Sequence, residues 1–357
     1  MLNDINEHAP RVAQQAGRVP ASNVLDLIGN TPLVRLDKLG REHGIQCNVY
    51  AKLECLSAGG SVKDRIALRM VEEAERNGTL IPGKSVLVEP SSGNTGIGLA
   101  LVAAVKGYRC IITMPEKMSI EKENTMKALG AEIIRTPTEA PHDSPESNIG
   151  KAKTLLQEIP YAVMLNQYDN PANPDAHYHT TAPEILDSIA LTKQDESRPT
   201  TGVVDVVVAG SGTGGTITGL ARRLKEANPN TVVVGVDPRG SILARPESLN
   251  ELQKGESAMY KVEGIGYDFI PGVLKHDNVD VWLKSDDVTS FKAARDVIKT
   301  EGVLCGGSSG AALHAAVEFL KSDEGWQRFG SRPECNVVIL LADGIRNYVT
   351  SSWLTGN

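Results

Sequence analysis

The fold of this chain is constrained most by a regular alternation of short β-branched runs with amphipathic segments. Between the runs, apolar residues recur at helical spacing, as Ile66, Met70 and Val71 do within 66–76. Such alternation is typical of βαβ units, whose parallel strands carry helices on both faces. The sequence therefore predicts an α/β fold with mostly parallel, doubly wound sheets. The strands are predicted at 48–54, 85–89, 109–114, 132–136, 203–209, 231–237, 279–284 and 336–342.

Domain organisation is suggested by two polar, proline-containing stretches that interrupt the alternation, at 136–147 and 191–202. The second is the better candidate for a crossing between domains, because 357 residues are enough for two cores. Residues 1–22 show little apolar periodicity and are predicted to form an N-terminal arm. Ligands bind parallel sheets at the carboxyl ends of the strands, so the loops after the strands are the candidate sites.

Composition excludes several classes of function. A net charge of −7 argues against a nucleic-acid partner, and no apolar run is long enough to span a membrane. The five cysteines contain no CxxC pair, so neither a disulfide framework nor a metal site is expected. The N-terminus lacks the apolar segment of a signal peptide. These features together predict a reduced, cytoplasmic protein.

The first glycine-containing loop, "EPSSGNTGIGLA", begins at Glu89 where a predicted strand ends. Hydroxyl and amide side chains and free backbone N–H groups cluster there at a helix N-terminus, which suits a carboxylate or another small anion. Serine and asparagine are also common helix caps. The loop by itself is therefore consistent with either an anion site or a well-capped helix.

The second loop, "AGSGTGGTITG", follows a buried strand and contains Gly210, Gly212 and Gly215 together with two threonines. So many backbone N–H groups beside a helix N-terminus favour a phosphate site over a simple tight turn. The spacing also matches Gly-x-Gly-x-x-Gly, and the next strand ends in Asp237. A dinucleotide site, and with it an NAD-dependent dehydrogenase, is therefore an alternative.

A lysine, Lys63, stands where the loop "SAGGSV" meets a predicted helix. Lysines are usually exposed, and a helix-entry lysine in solvent is the ordinary interpretation. Together with a phosphate loop and an anion loop, however, a lysine suits pyridoxal phosphate, which needs an amine to hold its aldehyde and to transfer a proton. The three features together favour this second interpretation.

Many motifs in order resemble one family, the cysteine synthases and cystathionine β-synthases, which are fold-type-II pyridoxal-phosphate enzymes related in fold to the tryptophan synthase β subunit. The resemblance runs from about Asn23 to Tyr348. The motifs are "LIGNTPLVRL", "GGSVKDR", "EPSSGNTGIGLAL", "NPDAHYHTTAPEI", "GTGGTITG", "VEGIGYDFIP" and "EGVLCGGSSGAAL".

The resemblance implies a role for each matching position. Lys63 would be the catalytic lysine that binds the cofactor, Asn94 would contact its ring hydroxyl, and Gly264 would lie beside it. The phosphate would be held by Gly212, Thr213, Gly214, Gly215 and Thr216. The amino-acid carboxylate would be held by Ser91, Ser92, Gly93, Thr95 and Gln167. The second substrate would meet Tyr267, Glu116 and Lys117.

The resemblance also implies an activity and an architecture. The chain would be a lyase that condenses serine with homocysteine, and cysteine in place of serine would release hydrogen sulfide. A smaller mobile domain would span 48–190, and a larger domain with the phosphate loop would combine 23–47 with 191–357. A homodimer is expected, and a pair of regulatory domains is not. A cysteine synthase that uses O-acetylserine and sulfide remains an alternative.

Two departures from the family pattern affect these expectations. Gly344 stands where the family usually has a serine that meets the cofactor's pyridine nitrogen, which leaves a non-catalytic, cofactor-binding sensor as another alternative. Some relatives bind haem through an N-terminal cysteine and histidine. Here no cysteine precedes Cys47 and only His8 lies in the predicted arm, so haem is not expected.

Overall fold

The structure, a computed structural model, describes residues 20–355 except for 92, 117–118, 139, 141–143, 253–254 and 256. Most of the predicted N-terminal arm, together with Ser92 and Lys117, therefore lies outside the described residues.

Strands and helices alternate through the described part of the chain. The strands are β1 (Leu33–Arg35), β2 (Asn48–Leu53), β3 (Val86–Pro90), β4 (Arg109–Pro115), β5 (Glu132–Thr136), β6 (Ala162–Val163), β7 (Val206–Gly210), β8 (Val232–Pro238), β9 (Val281–Ser285) and β10 (Asn336–Leu341). The helices are α1 (Asp37–His43), α2 (Lys63–Arg76), α3 (Asn94–Lys106), α4 (Ile120–Ala128), α5 (Asn148–Glu158), α6 (Ala172–Ala176), α7 (Ala182–Leu191), α8 (Gly215–Ala227), α9 (Asp287–Glu301), α10 (Gly307–Lys321), α11 (Asp323–Gly325) and α12 (Ser352–Thr355).

Shorter helical segments connect these elements. The 3₁₀ turns are Val24–Leu27, Glu54–Leu56, Thr192–Gln194, Glu247–Asn250, His276–Asn278 and Ile345–Tyr348, and the π-helical turns are His177–Thr181 and Trp326–Gly330. The first π-helical turn joins α6 to α7 without a break.

Two sheets organise the molecule. The first has the strand order β1-β2-β10-β7-β8-β9, and only the β1–β2 pair in it is antiparallel. The second has the order β5-β4-β3-β6 and is parallel throughout. The residues of β2, β10 and β3 are buried, as expected for parallel strands that are covered on both faces. The α/β fold with mostly parallel sheets that the sequence predicts is thus confirmed.

All eight predicted runs form strands, whereas β1 and β6 were not predicted. These two strands have three and two residues, too short for an apolar pattern to develop. β2 lies at the start of the range 48–190 assigned to the smaller domain, but it is hydrogen-bonded between β1 and β10 in the six-stranded sheet. The division into two domains stays a prediction.

Close packing of α2 on α3 brings the N-termini of the two helices together. A Cβ atom on Gly98 of α3 would come 3.0 Å from both the Cβ of Ala67 and the carbonyl oxygen of Lys63. Any larger residue at 98 would therefore push the helices apart. The start of α2, with Lys63, and the start of α3, with Asn94, consequently share one region of the molecule.

No helix within the described residues is long and apolar enough to cross a membrane. The five cysteines all lie in the described part of the chain, and none of them forms a disulfide.

Candidate active site

One cavity lies at the carboxyl ends of β7 and β10. Lys63, the first residue of α2, lines it. The loop between β7 and α8 contributes Gly212, Thr213 and Gly214 to the same wall, and the first turn of α8 contributes Thr216. Gly264 and Ser308 also line the cavity. The structure therefore brings together a lysine and a glycine-rich loop that are distant in sequence.

Backbone contacts hold Lys63 in place. Its N–H donates to the Ser61 hydroxyl over 3.2 Å. The N–H of Val62 donates to the carbonyl oxygen of Ala342 over 2.8 Å, and Ser61 forms an antiparallel bridge with Asp343. The lysine is thus anchored to the segment that follows the central strand β10.

Burial lowers the pKa of Lys63 to about 8, although the neighbouring Asp343 carboxylate acts in the opposite direction. An exposed lysine has a pKa of about 10.4 and is almost entirely protonated at neutral pH. The lower pKa gives Lys63 a larger fraction of neutral amine. Such an amine can attack a carbonyl carbon and can accept a proton from carbon.

The glycine-rich loop presents hydrogen-bond donors to the cavity. The N–H groups of Gly212, Thr213 and Gly214 have no acceptor among the residues that the structure describes. Gly214 has a φ of 82°, which L side chains rarely adopt, and this turn starts α8. A Cβ on Gly212 would come 2.5 Å from the carbonyl oxygen of Gly264, so only glycine fits there. The loop can therefore bind an anion through its backbone.

The dinucleotide alternative is weakened by Asp237. This residue is the last but one of β8, close to where that pattern requires an acid, but its side chain is fully buried. Its Oδ2 pairs with the Lys284 ammonium at 2.6 Å and accepts the N–H of Ala244 at 3.1 Å. The carboxylate is thus engaged inside the protein, where it cannot meet a ribose.

The loop that precedes α3 combines a helix cap with possible ligand groups. The Ser91 hydroxyl accepts the N–H of Gly96 at 2.9 Å and that of Gly93 at 3.4 Å, so it does cap the helix. Its own hydrogen stays available for donation. The Thr95 hydroxyl donates to Oε1 of Gln167 over 2.7 Å, and both residues are buried. Thr95 and Gln167, which were predicted to act together, are in direct contact.

Glu89, at the end of β3, holds the segment that contains Gln167. The buried carboxylate accepts the backbone N–H groups of Leu165, Asn166 and Gln167, each over 3.1 Å. Burial raises the pKa of Glu89 to about 7, while the three N–H donors act to lower it. We had not predicted this contact, because the residues that Glu89 holds lie far along the chain.

Asp343 is a second residue that the sequence analysis missed. The side chain is fully buried, and Oδ2 accepts hydrogen bonds from Nδ2 of Asn94 at 2.8 Å and from the Tyr348 hydroxyl at 2.7 Å. Oδ1 has no partner among the described residues. Asn94 also accepts a hydrogen bond from Asn347 over 2.9 Å. The position of Asp343 just after β10 was the only available signal.

Three aromatic side chains form a cluster that includes Tyr267. Its ring lies 5.4 Å from Tyr168 and 5.1 Å from Phe269, measured between centroids. The hydroxyls of the two tyrosines are 3.5 Å apart. Burial raises the pKa of Tyr267, so the phenol is neutral at physiological pH. Tyr267 is thus an uncharged group packed against two other aromatic rings.

The remaining predicted residues are less informative. Glu116 is exposed, and Lys117 lies outside the described residues. Gly344 has extended backbone angles that any residue could adopt. A Cβ on it would come 3.0 Å from Cβ of Cys55 and 3.1 Å from the carbonyl oxygen of Leu304. Lack of space, rather than backbone geometry, therefore favours glycine at 344.

Comparison with known proteins gives consistent similarities. Residues 24–330 match the family described as "Pyridoxal-phosphate dependent enzyme". The chain is 54% identical to a cystathionine beta-synthase of Dictyostelium discoideum over 94% of its own length, but spans only 63% of that protein. It is 44% identical to a probable cysteine synthase of Bacillus subtilis over 93% of its own length and 97% of that protein.

A solved structure is also similar. It is that of a hydrogen sulfide-producing enzyme from Fusobacterium nucleatum, which is 37% identical, with a TM-score of 0.78, over 92% of this chain and 100% of that one. The family match covers most of the chain, and the cysteine synthase is matched along nearly its whole length. The chain belongs to the pyridoxal-phosphate dependent enzymes, in the family that contains the cystathionine β-synthases and cysteine synthases.

Proposed function

We propose that this protein is a lyase that condenses L-serine with L-homocysteine to L-cystathionine, with pyridoxal phosphate as its cofactor. The hydroxyl of serine leaves with one proton as water, and the sulfur of homocysteine bonds to the β-carbon. The observation that carries the proposal is that Lys63, with its lowered pKa, shares a cavity with the donor-rich loop Gly212–Thr216. The 54% identity to a cystathionine beta-synthase supports the choice of substrates.

The residues present fit this cofactor. A phosphate monoester needs several hydrogen-bond donors, and three N–H groups of the loop have no acceptor among the described residues. An aldehyde needs an amine that is partly neutral, as Lys63 is. We propose that Gly212, Thr213, Gly214, Gly215 and Thr216 hold the phosphate, that Asn94 holds the ring hydroxyl, and that Gly264 and Gly344 lie beside the ring.

Lys63 moves the proton in the proposed reaction. When bound, pyridoxal phosphate supplies an electron-withdrawing ring that makes the α-proton of the amino acid acidic. With the amino acid bound, Lys63 would take this α-proton on its Nζ and later return one to the same carbon. Its pKa of about 8 suits both transfers, because a base and its conjugate acid are then both present near neutral pH.

The loop before α3 is proposed to bind the carboxylate of the amino acid. The residues proposed to bind it are Ser91, Ser92, Gly93, Thr95 and Gln167. The hydrogen bond from Thr95 to Gln167 and the clamp by Glu89 support a pre-organised arrangement.

The second substrate is proposed to enter beside Tyr267, with Glu116 and Lys117 as further contacts. The neutral aromatic cluster around Tyr267 would pack against the aliphatic part of homocysteine. Cysteine in place of serine would release hydrogen sulfide instead of water. We further propose that the smaller domain within 48–190, apart from β2, which belongs to the six-stranded sheet, closes over the larger one, and that the protein works as a homodimer in the cytoplasm.

A cysteine synthase is the second candidate. The chain covers 97% of the probable cysteine synthase of Bacillus subtilis, whereas it spans less than two thirds of the cystathionine beta-synthase from Dictyostelium. O-Acetylserine would then be the first substrate and sulfide the second. The same lysine and the same loops would serve this reaction.

The test is turnover by the cofactor-loaded enzyme, followed by mass spectrometry, with three substrate pairs. The pairs are serine with homocysteine, O-acetylserine with sulfide, and cysteine with homocysteine. We expect cystathionine from the first pair at the highest kcat/KM. Faster cysteine formation from the second pair would establish the cysteine synthase. If none of the three pairs is turned over by a protein that shows the visible absorbance of bound cofactor, the protein is a non-catalytic, cofactor-binding sensor. Lys63→Ala should lose that absorbance and at least about 100-fold in rate.

A further inference from the structure

Two buried residues contact the threonines of the candidate phosphate site, Thr213 and Thr216. Asn173 lies in α6 and is 1% exposed, and His177, four residues later, begins the π-helical turn and is 0% exposed. We propose that both are positioning residues for a bound phosphate. Asn173 donates a hydrogen bond to the Thr213 hydroxyl, and His177 lies within hydrogen-bond distance of the Thr216 hydroxyl and would donate to it, so that each threonine turns its own hydrogen toward the phosphate. The inference rests on the proposed function, in which Gly212–Thr216 holds the phosphate.

Asn173 acts on Thr213. Its Nδ2 donates to the Thr213 hydroxyl oxygen over 3.0 Å and to the carbonyl oxygen of Gln167 over 2.7 Å. The N–H of Gly215 also points to the Thr213 oxygen, at 3.4 Å. With both lone pairs engaged, this hydroxyl can only donate to a further partner. Asn173 thereby also connects the phosphate loop to Gln167 of the proposed carboxylate site.

His177 acts on Thr216. Its Nε2 lies 3.1 Å from the Thr216 hydroxyl, and its Nδ1 lies 2.9 Å from the Thr181 hydroxyl. Burial lowers the pKa of His177 well below its usual value, and the positive charges of Arg65 and Lys63 lower it further. The imidazole is therefore neutral and carries a single N–H.

A phosphate selects one arrangement of these hydrogens. The phosphate of a monoester is mainly dianionic at neutral pH and offers only acceptors. The Thr216 hydroxyl must then donate to it and accept from His177, which places the proton of the imidazole on Nε2. Nδ1 in turn accepts the hydrogen of Thr181. In this series of hydrogen bonds, Thr181, His177 and Thr216 thus each donate one hydrogen, the last of them to the phosphate.

Two glycines of α8 allow this approach. A Cβ on Gly215 would come 1.9 Å from Oδ1 of Asn173, and a Cβ on Gly219 would come 2.1 Å from the carbonyl oxygen of Pro174 and 2.8 Å from Cβ of His177. Gly215 was predicted as a phosphate ligand. Its lack of a side chain is needed for a different reason, since it admits the residue that orients Thr213.

The experiment compares two ligands that differ only in the phosphate. Apoenzyme is titrated with pyridoxal phosphate and, separately, with pyridoxal, and dissociation constants are read from the visible absorbance. A hydrogen bond to a charged system contributes about 1.5–3 kcal/mol. His177→Leu should therefore lower the affinity for pyridoxal phosphate by about 10–100-fold. It should leave the affinity for pyridoxal unchanged. His177→Gln keeps an N–H donor and should stay within about threefold of the wild type.

Further variants keep the test decisive if His177→Leu folds poorly. Thr181→Val removes only the partner of Nδ1, which lets the imidazole proton shift, and should weaken pyridoxal phosphate by about 2–5-fold. Asn173→Asp replaces the donated N–H by a negative charge and should weaken it at least as much as His177→Leu does. Tyr178→Phe, on the same turn but bonded to Glu226 at the surface, is the control and should change neither affinity.

The outcomes separate the two levels of the inference. If Thr216→Val leaves the affinity for pyridoxal phosphate unchanged, the phosphate does not bind at this loop and the placement itself is wrong. If Thr216→Val weakens it while His177→Leu and Asn173→Asp do not, only the positioning roles are overturned. If His177→Leu and Asn173→Asp lower the affinities for pyridoxal and pyridoxal phosphate equally, both residues serve only packing. The ³¹P chemical shift of the bound phosphate should move in His177→Leu and not in His177→Gln.

Discussion

Burial shifts the pKa values of two residues of the candidate site, Lys63 and Glu89, in opposite directions. It disfavours the charged form of each, so the pKa of the lysine falls and that of the carboxyl group rises. Neither change is visible in the sequence, where both residues look like ordinary charged side chains at the ends of predicted elements. Both changes lead to measurable pH dependence.

The Asp343 carboxylate raises the pKa of Lys63, so its removal should lower that pKa below about 8. Asp343→Asn keeps the shape of the side chain and an oxygen that can accept from Tyr348. Because only the neutral amine reacts, the rate at which apoenzyme takes up pyridoxal phosphate should reach its midpoint at a lower pH in this variant. Stopped-flow absorbance from pH 6 to 10 gives the midpoint. Asp175→Asn, at an exposed pair with Arg222, is the control; a midpoint that rises in Asp343→Asn would contradict the argument.

Glu89 should make the free energy of unfolding depend on pH. Its pKa is about 7 in the folded protein against 4.5 for the ordinary group, so the folded state binds a proton that the unfolded state has lost. The contribution is fully present below pH 4.5 and is lost as pH rises through about 7. At about 1.4 kcal/mol per pK unit, the loss is roughly 3 kcal/mol.

Glu89→Gln removes this titration. The free energy of unfolding of the wild type minus that of the variant should therefore fall between pH 5 and pH 7 and level off above about 7.5. Urea denaturation across this range measures it. Glu132→Gln is the matched control, because Arg109 holds the pKa of that exposed carboxyl below its usual range and the difference should stay constant from pH 5 to 8. A constant difference for Glu89→Gln as well would show that Glu89 is ionised throughout.

At the scale of elements, α8 packs closely on α6 and on the π-helical turn that follows. The contact depends on Gly215 and Gly219, which lie one turn apart on the same face of α8. The face carries no side chain at these positions, so Asn173 and His177 reach the loop at the helix start. The helix is thus both a wall of the core and the support of the candidate phosphate site.

Gly219→Ala should therefore lower both stability and cofactor affinity. The new Cβ would come 2.1 Å from the carbonyl oxygen of Pro174, which is backbone and cannot move away easily. Overpacking of this kind costs about 1–3 kcal/mol. Thermal unfolding and titration with pyridoxal phosphate measure the two effects.

Gly40→Ala in α1 provides the matched control for that substitution. Its Cβ would have only an ordinary contact, 3.5 Å from the carbonyl oxygen of Ile45, and alanine favours helix. We expect unchanged or slightly higher stability and unchanged cofactor affinity. Equal stability and equal cofactor affinity of the two variants would mean that α8 can shift without disturbing the core or the candidate phosphate site.

At the scale of the whole molecule, polar contacts attach α4 to residues that lie far along the chain, Glu263 and the segment 348–350. Lys122 is 2% exposed, pairs with the Glu263 carboxylate and lies 4.8 Å above the ring of Tyr348. Glu121 accepts the N–H of Thr350 over 3.1 Å. Glu263 directly precedes Gly264 of the cavity, so these contacts join the packing of α4 to the site.

Glu263→Gln should loosen α4. It leaves the Lys122 ammonium buried without its counter-ion, which costs about 1–3 kcal/mol. Hydrogen–deuterium exchange of residues 120–128 should become faster, while that of β7 and β10 should not change. Glu324→Gln, which breaks an exposed pair with Arg328, should leave α4 as it is. Unchanged exchange in α4 for Glu263→Gln would show that apolar packing alone holds the helix.

Much of the fold was predictable, because each long strand and helix carries its own periodicity. The runs at 206–210 and 336–341 are apolar and β-branched, and they form adjacent parallel strands. β1 and β6 were not predicted, because they have only three and two residues. The order of the strands was not predictable from periodicity, since hydrogen bonds between strands leave no local pattern.

The sequence by itself determined the α/β class, the two glycine-containing loops and the importance of Lys63, because backbone conformation and turn chemistry depend on neighbouring residues. Only the tertiary structure decided which groups surround them. Asn173, His177, Glu89 and Asp343 act on the candidate site across 39 to 249 residues of chain. Their roles come from burial and from hydrogen bonds that form only when the helices and sheets are packed, and burial is also what shifts the pKa of Lys63.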